Sequence, residues 1–60
     1  MLPREPLLLV SIINTKLRDV YNSLEALCDD LDEPIEEICA ILNENGYEYD
    51  PNLNQFKEIL

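Results

Sequence analysis

The sequence contains no histidine, no tryptophan, one glycine, two cysteines and only four basic side chains among 60 residues. Each shortage excludes something. Histidine is the usual general base and the commonest metal ligand, so triad hydrolysis and histidine-containing zinc sites are ruled out. One glycine, Gly46, leaves no glycine-rich loop to cradle a phosphate. Cys28 and Cys39 are too few for a disulfide framework, and their spacing matches no zinc-ligand pattern. Both lie among apolar neighbours and read as small buried hydrophobes in a reducing compartment, the alternative being a disulfide between two packed helices. The four basic groups face 13 acidic ones, a net charge of −9. Such a surface repels nucleic acid and anionic lipid, because phosphate contacts need Lys or Arg to displace counterions.

Long apolar runs are also missing. Leu7 to Ile13 would span only ~10 Å as a helix, against ~30 Å of hydrocarbon. Arg4 is offset by Glu5, and no small-residue cleavage site follows before Lys16-Leu17-Arg18-Asp19. Neither a membrane anchor nor a signal peptide is expected, and the chain reads as cytoplasmic.

What is present is apolar and unevenly charged. Nearly half the residues, 47%, are hydrophobic, too many for a disordered tail. Sixty residues make one small domain, whose limited burial leaves little room for a cleft. Residues 1–18 carry Arg4, Lys16 and Arg18 against Glu5, whereas Asp19 to Phe56 holds eleven carboxylates and no basic group.

The order of apolar positions predicts an all-α, three-helix domain with a short C-terminal β-hairpin or irregular tail. Pro6 opens a first helix over about 6–21, with Leu9, Val10, Ile13, Leu17, Val20 and Tyr21 on one face. Asn22 and Glu25 have the form of a capping box before a second helix, about 23–31, bearing Leu24, Leu27, Cys28 and Leu31. Asp32 as a cap and Pro34 in the first turn start a third, about 33–45, with Ile35, Ile38, Cys39 and Leu42. The two short helices repeat one pattern at an offset of 11, each laying an apolar stripe against the first. Gly46 suits a left-handed helix end. Tyr47 and Tyr49 alternate with Glu48, and Asp50-Pro51-Asn52 is a turn signal, so residues 47–60 can fold back as a hairpin.

Two short helices after a longer one outline a helix-turn-helix with a wing, but the outward residues of the third helix would be Glu33, Glu36, Glu37, Ala40, Asn43 and Glu44. Carboxylates there would be repelled by phosphates and cannot read guanine. Direct DNA binding is not expected. The acidic stretch Asp29-Asp30-Leu31-Asp32-Glu33 lacks the register of a calcium loop and reads as a solvated turn. Paired carboxylates on exposed faces have nothing to raise their pKa toward neutrality. The chain therefore reads as non-enzymatic, with no cofactor, metal or small-molecule substrate.

Leu8 and Ile12 fall away from the centre of the first helix's stripe, with Leu7 nearby. They are candidate anchors for a protein partner, a homodimer included, unless Phe56, Ile59 and Leu60 cover them. Glu36 and Glu37 would select a basic partner. The alternative function is a helix-turn-helix-derived regulator, or an acidic mimic, acting on nucleic-acid-binding proteins.

Leu9-Val10-Ser11 and Leu17-Arg18-Asp19, followed by Ser23-Leu24, Leu27-Cys28, Gly46-Tyr47, Tyr49 and Asn54-Gln55-Phe56, carry a resemblance over nearly the whole chain. The sequence resembles short bacterial proteins grouped as domain of unknown function 4250, marked by Leu-Leu-Ser and Leu-Arg-Asp motifs. The first motif departs here to Leu-Val-Ser; the second is intact. The resemblance implies a stand-alone cytoplasmic protein and no catalytic residue. It directs attention to Arg18 and Asp19, as an ion pair and a turn-setting residue or as a binding pair.

Overall fold

The computed structural model describes residues 2–59. Three helices are followed by a two-stranded antiparallel sheet: α1 Pro6–Asp19, α2 Leu24–Asp30, α3 Ile35–Glu44, β1 Tyr47–Asp50 and β2 Gln55–Glu58. No described helix is long and apolar enough to cross a membrane.

The helices start where side chains satisfy their free N–H groups, though not always at the expected residue. Glu5 caps α1, accepting from the backbone N–H groups of Leu7 and Leu8, and Pro6 occupies the turn that needs no donor. Ser23, not Asn22, caps α2: it is extended and its side chain accepts from the Ala26 N–H. Glu25 sits in that first turn, where the helix dipole favours it. Asp32 does not cap α3. Its φ is +56°, a left-handed conformation that Asp tolerates better than most residues, and it turns the chain between α2 and α3. Pro34 is the residue before α3 and offers no side-chain cap.

Leu9, Ile13, Leu27, Ile38 and Leu42 are fully buried, one or two from each helix. Leu2, Val10, Leu17, Leu24, Cys28 and Phe56 complete the core. The 11-residue repeat of α2 and α3 is therefore realised as two stripes meeting α1, with Leu27 and Ile38 at equivalent central positions. Val20, expected on the α1 stripe, lies past the last helical turn and is exposed.

Residues 47–58 form a hairpin, not an irregular tail. Tyr49 pairs with Phe56 and Tyr47 with Glu58. Gly46, at φ +86°, takes the chain out of α3. Tyr49 and Phe56 lie on the core-facing side with ring centroids 5.5 Å apart, while Glu48, Asp50 and Lys57 lie on the outer side. Asn14 of α1 holds the hairpin by its backbone: its Nδ2 donates to the Phe56 carbonyl at 3.0 Å and its Oδ1 accepts the Phe56 N–H at 2.8 Å. One helix side chain thus stands in for a neighbouring strand along the free side of β2.

Candidate interaction site

The residues singled out from the sequence fall in three places. Leu8 is exposed in the first turns of α1, beside the still more exposed Leu7. Ile12 is half-buried and packed on the core. The i, i+4 spacing of Leu8 and Ile12 suggests one surface, but they divide between solvent and core: Leu8 is exposed and Ile12 packs against the core. Phe56 is buried while Ile59 remains exposed, so the strand end leaves Leu7 and Leu8 open. Leu60 lies outside the described residues.

Arg18 and Asp19 occupy the last turn of α1. The Arg18 guanidinium donates to both Asp19 carboxylate oxygens at 2.8 Å, and that bonding holds the Asp19 carboxyl below its ordinary range. Both side chains are solvent-exposed, where such a pair contributes little to stability. They border an open groove lined also by Val20, Tyr21, Leu53 and Asn54.

Glu36 and Glu37 do not act alike. Glu36 is exposed, whereas Glu37 accepts from the Arg4 Nε at 2.7 Å. Arg4 is not offset by Glu5: it also reaches Glu33 at 3.0 Å and the Leu2 carbonyl at 3.1 Å. Glu33, expected on the outer face of α3, precedes that helix and is buried. One carboxylate oxygen takes the Leu2 N–H at 2.9 Å and the other takes Arg4. This clasp anchors the lead-in segment and seats Leu2 in the core. No local pattern discloses it, because the partners are 29 to 33 residues apart.

The Leu2 N–H, then Arg4, hold the Glu33 carboxyl below its usual value of 4.5. A carboxylate with a depressed folded-state pKa stabilises the fold fully above its unfolded value and ceases to do so as pH falls through the folded one. The clasp is therefore intact at neutral pH and is lost in the acid range below about 4.5. Relative to its intrinsic rate, the Leu2 amide, followed from pH 7 to pH 2.5, is expected to lose its exchange protection before global unfolding. In Glu33→Gln that amide is expected to exchange near its intrinsic rate at every pH. Exchange in the variant that still slows as pH rises, once corrected for intrinsic rates, would show that another carboxylate holds the segment.

Cys28 and Cys39 are free thiols, one buried and one half-buried. Burial pushes both pKa values up, the opposite of what a reactive cysteine requires. Among the described residues no group of three Cys, Asp or Glu side chains is placed to hold a metal ion.

The chain belongs to the family described as Domain of unknown function (DUF4250), which matches residues 3–56. No curated protein and no solved structure matches it.

Proposed function

We propose that this chain is a non-enzymatic protein-interaction module that self-associates through the first turns of α1. The observation that carries the reading is the exposure of two consecutive large aliphatic side chains, Leu7 at 66% and Leu8 at 50%. Clustered apolar exposure marks contact surfaces, and domains of this size commonly gain stability by association. Charge supports the same surface. From Pro6 to Arg18 the chain has no carboxylate, so a two-fold contact through α1 brings together the least acidic parts of two strongly acidic molecules.

The solution mass by light scattering, at low and high salt, tests this. A dimer that persists in high salt is expected, since apolar contacts are not screened. Leu7→Ser with Leu8→Ser is expected to give a monomer with unchanged helical circular dichroism. Ile12 is unsuitable for the test because it packs on the core. A wild-type monomer at both salt concentrations overturns the reading.

A further inference from the structure

The hairpin has two long edges, and among the described residues a side chain bonds along only one of them. On the β2 side, Asn14 satisfies both backbone groups of Phe56. Those groups therefore point away from β1, which makes Tyr49 and Phe56 a non-hydrogen-bonded pair of the ladder. The alternation agrees at the sheet's end, where the Ile59 N–H donates inward to the Gly46 carbonyl at 2.8 Å. Tyr47 and Tyr49 consequently turn their N–H and C=O groups to the outer edge of β1, and none of the described residues bonds them. An edge of this kind is a template for one more strand.

The charges on β1 decide what that strand can be. A second copy of β1 pairing antiparallel must set outward-pointing residues opposite one another. Matching Tyr47 with Tyr49 places Glu48 directly against the other Glu48. Matching Tyr49 with Tyr49 places Glu48 against Asp50. Every register that engages three or more residues of β1 from each copy therefore opposes carboxylates, which is destabilising at cross-strand distance. The edge rejects itself, and it fits a strand whose residue opposite Glu48 is basic; Asp50, on the same face, is already paired with Lys57 at 3.4 Å.

We propose that the outer edge of β1 is a docking site for an extended basic segment of a protein partner, with a Lys or Arg facing Glu48. The residues flanking it donate and accept at Tyr47 and Tyr49. This surface is separate from the α1 patch, and its occupancy does not depend on self-association.

The test is a titration of the 15N-labelled chain with a capped hexapeptide alternating lysine and valine, observed by amide NMR. Shifts are expected at the amides of Tyr47 and Tyr49, with slowed exchange there and weakening as salt rises. The same peptide N-methylated at its valines lacks the donors that meet the tyrosine carbonyls and is expected not to dock. Glu48→Lys, an exposed change that leaves the core intact, is expected to reduce affinity about tenfold or more. Perturbation confined to α2 or α3, or equal binding of the N-methylated peptide, would show simple attraction to an acidic surface and overturn the proposal. Absence of any binding would do the same. Failure of the α1 variants to dissociate a dimer would leave these readouts unaffected.

Discussion

Leu27→Ala is expected to leave the domain substantially unfolded at 37 °C. Leu27 is fully buried at the centre of α2, a helix of only seven residues, too short to hold its conformation without tertiary packing. Truncating a buried leucine costs about 2–5 kcal/mol, the transfer loss plus the cavity left behind. A 60-residue domain has roughly 3–9 kcal/mol in total at the usual stability per residue, so the loss is comparable with the whole. Leu53→Ala is the matched control, because Leu53 is 63% exposed and such sites change stability by about 0.5 kcal/mol or less. Thermal and urea unfolding followed by circular dichroism read both. A Leu27→Ala melting curve that overlays the wild type would mean the short helix carries little of the fold.

The second large effect is expected at Asn54→Asp. Asn54 adopts φ +52° in the hairpin loop. Its amide nitrogen donates to the Leu17 and Tyr21 carbonyls at 3.0 and 2.9 Å, so it satisfies carbonyls at the end of α1. Its oxygen accepts the Tyr49 hydroxyl at 2.6 Å, and that hydroxyl in turn accepts the Leu24 N–H at 3.3 Å. One side chain thus ties together the hairpin, the end of α1 and the start of α2. Aspartate keeps the left-handed backbone accessible but turns both donors into acceptors facing carbonyl oxygens. About 2–4 kcal/mol is expected to be lost, from partly buried groups left without partners. Asn54→Gly, which removes the bonds without adding charge, is expected to cost less. The deficit of Asn54→Asp relative to wild type is expected to narrow near pH 4, where the carboxyl gains a proton to donate. Equal losses for Asp and Gly at all pH values would show that missing bonds, and not repulsion, dominate.

These two positions were not equally visible beforehand. Leu27 is legible because helical periodicity sets it in phase with Leu24, Cys28 and Leu31, and the burial follows. The three helices, the left-handed Gly46 and the turn around Pro51 are legible for the same reason, each arising from residues within a turn or two of one another. The exposure of Leu7 and Leu8 could be suspected, since they fall off the main stripe. Asn54 and Asn14 are ordinary polar residues by any local measure. Their roles come from partners 33 to 42 residues away.

The candidate surfaces divide along the same line. Net charge, the acid-free stretch of α1 and the alternation of Glu48 and Asp50 with the tyrosines are properties of the chain as written. Only packing decides that Ile12 turns to the core while Leu8 does not, that Glu33 is buried under Leu2 and Arg4, and that Asn14 bonds the β2 edge while no described residue bonds the β1 edge. Periodicity, propensity and charge act over a few residues and survive in the unfolded chain. A buried carboxylate or a satisfied strand edge exists only once distant segments meet, because its partner is supplied by the fold itself.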